Sequence, residues 1–120
     1  MLDRAERLHR QFFTHATAYW EPPVDIVESG ETLHVYIALP GVSAEAITVA
    51  VEPAGITVSA VRAFPCREEH AQIHRIEIPY GRFERQIGLP LADPYSGLEL
   101  AGQSLADGVL TLRFRKKEGA

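Results

Sequence analysis

From residue 32 onward, apolar and polar side chains take turns along the chain. Leu33, Val35, Ile37 and Leu39 alternate with Thr32, His34, Tyr36 and Ala38, and Ile47, Val49 and Val51 alternate with Thr48 and Ala50. Ile56 and Val58 alternate with Thr57 and Ser59. Phe83, Ile87 and Leu89 share one parity, as do Leu110, Leu112 and Phe114. A period of two places successive side chains on opposite faces of a strand, so each run has one buried and one wet face, the pattern of antiparallel sheets. Turn formers separate the runs: Ser29-Gly30, Pro40-Gly41, Pro53-Ala54-Gly55, Tyr80-Gly81, Pro90, Pro94, Ser96-Gly97 and Asp107-Gly108. Asp-Gly favours a type I′ hairpin, in which both turn residues take positive φ. Short strands at this spacing predict an all-β antiparallel sandwich.

Two segments break the pattern. Leu2, Ala5, Leu8, Phe12 and Ala16 recur at spacings of three and four with charged residues between them, the pattern of a short amphipathic helix, the alternative being a frayed terminus. So short a helix needs a surface to lie on, and Leu8, Phe12 and Phe13 are the residues expected to make that contact. The expected organisation is therefore an arm over 1–19, a sandwich domain over 20–115 and a tail over 116–120. Residues 63–74 are polar and lack steady alternation, and the short alternating stretch Arg75-Ile76-Glu77-Ile78 follows them. A loop this long inside a small domain is usually functional or mobile, and a short strand on a long tether is suited to pair outside its own subunit.

Composition narrows the picture. With 46% of its 120 residues apolar the chain can build a core, and its length suits one domain. The formal charge of -4 comes with no basic block, so no nucleic-acid partner is expected. No apolar run approaches the roughly 20 residues a membrane span needs, and the charged N-terminus lacks a following apolar segment. The expected location is the cytoplasm, with no membrane contact. Cys66 is the single cysteine, which excludes an intrachain disulfide.

No motif for a serine nucleophile, a phosphate loop or a zinc helix is present, so no enzyme activity is expected. Cys66, His70 and His74 are spaced by four with Glu68 and Glu69 between them, and on a helix they would share a face. They fall instead in a loop followed by a strand, without a closed ligand set. No metal or cofactor is expected, and Cys66 is read as a free thiol. Arg85 keeps parity with Phe83 and Ile87 on an apolar face. A buried guanidinium is costly unless acceptors meet its fork; at a sandwich edge it can also snorkel to water.

Four stretches together carry a family resemblance. Trp20-Glu21-Pro22-Pro23-Val24-Asp25-Ile26-Val27-Glu28 is similar to the opening of the α-crystallin domain of bacterial and plant small heat-shock proteins. Leu39-Pro40-Gly41-Val42, followed by Glu45 and Ile47-Thr48-Val49, resembles the next signature of that family. Tyr80-Gly81-Arg82-Phe83-Glu84-Arg85, ending at Leu89-Pro90, resembles the third, and Asp107-Gly108-Val109-Leu110-Thr111 the last. They run in the family's order over residues 20 to 115. Gln103 stands where the family usually has alanine, and Gly88 where arginine is frequent. The chain ends at Ala120 without the family's Ile-x-Ile anchor, and the arm is short.

The resemblance implies a seven- or eight-stranded immunoglobulin-like sandwich and a homodimer built by strand exchange. The exchanged segment would be His74 to Ile78, pairing with the partner's strand near Val24 to Glu28. The implied interface residues are Arg75, Ile76, Glu77, Ile78, Arg85, Val24 and Ile26, with Glu77 one candidate ionic partner for Arg85. The resemblance also implies a groove at Val49, Val51 and Leu105 for clients or partners. The expected function is ATP-independent holding of partly unfolded proteins. The alternative is an adaptor module similar to CS-type sandwiches, which lack the long loop. Without the anchor, a dimer or a small oligomer is the expected assembly.

Overall fold

A computed structural model describes residues 20–53, 55–90 and 97–116; the predicted arm, with Leu8, Phe12 and Phe13, and the last four residues of the tail lie outside these. The alternating runs form seven strands among the described residues: β1 (Val24–Ser29), β2 (Thr32–Ala38), β3 (Thr48–Glu52), β4 (Gly55–Arg62), β5 (Gly81–Gly88), β6 (Leu98–Ala106) and β7 (Val109–Lys116). A single 3-10 turn, Ala44–Ala46, leads into β3. One sheet has the order β1-β2-β7-β6 and the other β3-β4-β5, and every pairing is antiparallel.

The inward rows come directly from the alternation. Leu33, Val35 and Ile37 of β2 lie opposite Phe114, Leu112 and Leu110 of β7, and all six are essentially inaccessible. Ile56, Val58 and Ala60 of β4 pair with Ile87, Arg85 and Phe83 of β5 on the facing layer. The two rows close on each other as the core, with Leu39, Val42, Leu89 and Leu98 at its ends. Each large aliphatic or aromatic side chain buried there contributes about 1.5–3 kcal/mol relative to exposure.

The turns explain why the strands start where they do. Asp107 has φ 53° and Gly108 φ 75°, the left-handed pair that a two-residue hairpin requires. A Cβ at Gly108 would also lie 3.0 Å from the Cα of Pro40, so that turn packs onto the exit of β2. Gly55 differs from expectation: it opens β4 rather than belonging to the turn, and glycine is needed there because a side chain would collide with the Ile87 carbonyl of β5. In β6 the register shifts between Leu100 and Gly102, a bulge that moves one residue out of step. Gln103 then pairs with Leu112 and Leu105 with Leu110, so both lie on the inward parity.

Two margins frame the sandwich. Trp20 packs on Phe83 of β5 with ring centroids 4.8 Å apart, and Arg85 of β5 donates to the Pro22 carbonyl at 2.8 Å. The segment entering β1 therefore lies against β5, and aligned stacking leaves β3 and β6 to form the opposite margin. Among the described residues, no helix is long and apolar enough to cross a membrane.

Candidate interaction site at the sheet margins

β1 is an outer strand, so one side of its backbone has no partner strand among the described residues. Such an edge is a template for pairing with another chain unless something covers it. Val24 packs against the core, whereas Ile26, on the same parity, is 38% exposed. Val27 points to the outer face and is 49% exposed. Pairing of Ile26 with Val35 confirms its inward parity, and its exposure follows from a layer of three strands covering one of four.

Residues 63–80 link β4 to β5 and contain no strand. Arg75 and Glu77 face one another at 3.8 Å in an exposed pair, the kind that contributes little to stability. Ile76 is half-buried, and Ile78 is 54% exposed. The stretch with strand-like alternation is thus laid out along the surface with an apolar residue in water. Within a single chain Glu77 and Arg85 form no ion pair. Glu77 faces Arg75, and Arg85 sends its Nη1 to the Pro22 carbonyl, so one arm of its fork is met by backbone in its own chain.

Arg62 is the functional candidate that the sequence reading passed over. It continues the inward row Ile56, Val58, Ala60 at the end of β4 and is buried, the one charged residue so placed among the described residues. Among the described residues no carboxylate meets it. Its Nε and Nη2 both donate to the Pro79 carbonyl, at 3.1 and 2.7 Å, and its Nη1 donates to the Pro40 carbonyl at 2.8 Å. The guanidinium carbon also stands 4.1 Å from the centre of the Trp20 ring, a cation–π contact. Burial lowers the Arg62 pKa from its ordinary value, and Tyr80 pushes the other way. Guanidinium stays charged in proteins, so the two carbonyls and the ring carry its solvation. The signal that finds it is parity carried two residues further, past Ala60.

The opposite margin carries the predicted groove. Val49 and Val51 of β3 pair with Val58 and Ile56 and so face inward; Val49 and Leu105 pack against the core, while Val51 is 50% exposed. Leu100 joins Leu105 on the β6 side, and the exposed Gln103 stands between them. At one end of the three-stranded sheet, Glu52, Gly55, Ile56, Gln86, Ile87 and Gly88 line a depression of about 340 Å³. A side chain at Gly88 would meet open space there. Cys66 is an exposed free thiol, and among the described residues no three His, Cys, Asp or Glu side chains are grouped to hold a metal.

A four-stranded and a three-stranded antiparallel layer, with a long strandless connection between β4 and β5, define an α-crystallin-type sandwich. The chain belongs to the Hsp20/alpha crystallin family, whose profile matches residues 25–120. It is 39% identical over 98 residues to an 18 kDa heat shock protein of Streptomyces albus G, covering 82% of this chain and 66% of that protein. It is 38% identical over 101 residues to a 23.2 kDa heat shock protein of Oryza sativa subsp. japonica, covering 78% of this chain and 44% of that one. The chain thus spans less than two thirds of the length of these relatives. Among solved structures, hspA from Xanthomonas axonopodis superimposes with a TM-score of 0.63 at 31% identity, over 84% of this chain and 98% of the other.

Proposed function

We propose that the chain is an ATP-independent holding chaperone of the cytoplasm that works as a homodimer and captures partly unfolded proteins. The observation that carries this reading is the pair of unsatisfied features on one molecule. Among the described residues β1 has an unpaired edge flanked by the exposed Ile26 and Val27, and residues 74–78 run strandless along the surface with Ile78 in water. Pairing of this segment with the β1 edge of a second copy would satisfy both, with Arg75, Ile76, Glu77, Ile78, Val24, Ile26 and Arg85 at the contact. Family membership supports the chaperone role.

The other margin supports the capture of clients. Unfolding proteins expose apolar surface and strand edges, and Val49, Val51 and Leu105 offer a partly covered apolar strip between two outer strands. Burial stabilises by about 25 cal/mol per Å² before the ordering costs of association are subtracted, which suits weak and reversible holding. Residues 1–19, with Leu8, Phe12 and Phe13, would add apolar contacts. Nothing in this mechanism needs a catalytic group, a metal or a nucleotide.

The test is light scattering from a heat-labile model client mixed with the full chain in the absence of ATP. Suppression of scattering at a few-fold molar excess is expected, weakened by Val51→Glu. Scattering unchanged at any ratio would overturn the holding role and leave an adaptor function for the same sandwich.

A further inference from the structure

The ladder between β4 and β5 ends at the pair Arg62 and Gly81, which fixes where the 63–80 connection leaves the sandwich and where it returns. It does not fix the direction of the chain beyond that pair. The Arg62 side chain reaches past the end of the ladder to Pro79, and two of its N–H groups converge on that one carbonyl, at 3.1 and 2.7 Å. A second contact closes the neck of the loop: the rings of Phe64 and Tyr80 meet edge to face with centroids 5.2 Å apart.

The next link is covalent. Pro79 has its φ locked by its ring, so a held carbonyl means a held residue. A residue that precedes proline is also pushed out of helical geometry toward extended backbone, and here that residue is Ile78. We propose that Arg62 is a positioning residue for the segment 74–78. By gripping Pro79 while braced against Pro40 and the Trp20 ring, it fixes the chain on the far side of the bend at Ile78 and so aims the segment outward for pairing with a second copy of the chain. This rests on the dimer reading above. Preorganisation of this kind acts on affinity by removing an ordering cost that association would otherwise carry.

Arginine is suited to this and lysine is not. The fork supplies donors in two directions at fixed angles and a flat face for the indole, whereas an ammonium is a point charge that satisfies one carbonyl at a time. Pro40 and Pro79, the residues that own the two carbonyls, are exposed at the surface, so water is expected to enter and meet both carbonyls once the guanidinium is gone. An apolar residue of similar length can fill the slot beside Trp20. The aim of the loop and the stability of the sandwich are therefore separable.

Arg62→Met and Arg62→Lys in the full chain test this. Three readouts apply: circular dichroism, trypsin cleavage after the exposed Arg67 and Arg75 at concentrations where the chain is monomeric, and the dimer dissociation constant by sedimentation equilibrium. Arg62→Met is expected to keep the β spectrum, to raise loop cleavage about tenfold and to weaken the dimer by about the same factor or more. Arg62→Lys is expected to recover part of both. A folded Arg62→Met with unchanged cleavage and unchanged dissociation constant would overturn the proposal. So would failure of both variants to fold, which would make Arg62 a support of the sandwich itself. A wild-type chain that stays monomeric at high concentration overturns the dimer reading and the destination proposed for the segment. The cleavage rates then still decide whether Arg62 holds the loop.

Discussion

Each of the two arginines on the inner face of the three-stranded sheet ends on a proline carbonyl. Arg62 meets Pro40 and Pro79, and Arg85 meets Pro22. A carbonyl that precedes or ends a strand has no ladder partner to rely on, and a charged donor meets it at lower cost than leaving it bare. The two residues differ in what surrounds the acceptor. Pro22 is fully buried, whereas Pro40 and Pro79 are exposed residues, so water is expected to replace the Arg85 bond less readily than the Arg62 bonds. Arg85→Ala is therefore expected to destabilise the fold itself by about 1–2 kcal/mol, less for Arg85→Lys, because a buried acceptor is left without a donor. A urea titration checks this: the midpoint should fall with the slope unchanged. No shift in midpoint would mean that the Pro22 carbonyl finds water or a backbone donor.

At the scale of elements, the strands that show cleanly in the sequence are those whose inner row is apolar throughout. Leu33, Val35 and Ile37 in β2 and Leu110, Leu112 and Phe114 in β7 have no competing signal, and the Asp107-Gly108 turn between β6 and β7 has the backbone its residue types demand. β4 is legible only to Ser59, because Arg62 puts a charge where the parity expects an apolar residue. β6 is obscured by its bulge, which shifts the parity of every residue after Leu100. Contacts such as Arg62 with Pro79 join positions whose proximity no local pattern encodes. The candidate site shows the same divide: the parity of Val49, Val51 and Arg85 is readable locally, whereas the grip on the loop is not. The segment 74–78 alternates like a strand and yet forms none within its own chain. Ile78 is more than half exposed there, so Ile78→Asp should change the stability of the isolated chain by no more than about 0.5 kcal/mol. If the segment pairs with a second copy, the same substitution places a charge in the contact and should shift the chain to monomer in sedimentation velocity. A variant as dimeric as the wild type would remove residues 74–78 from the interface.

The described residues form a small two-layer domain with an unpaired outer strand at each margin. A chain of this size holds its fold by roughly 5–15 kcal/mol, and strand edges and apolar residues left in water add nothing to that margin. The β1 edge, Ile26, Val27 and Ile78 are surfaces of this kind. Dimerisation through them would therefore add to the stability of each chain and would make stability depend on concentration, since whatever binds only the folded state stabilises it by mass action. A hundredfold rise in chain concentration changes the association free energy by about 2.7 kcal/mol per dimer. Shared between two chains of this size, that corresponds to a Tm increase on the order of 5 °C. Calorimetric scans across such a range should show this rise for the wild type. The Ile78→Asp chain should give the same Tm at every concentration, because its core is untouched and only the coupling between copies is lost. A wild-type Tm independent of concentration would mean that the open margins are not closed by a second copy, and that β1 and the long loop face other partners instead.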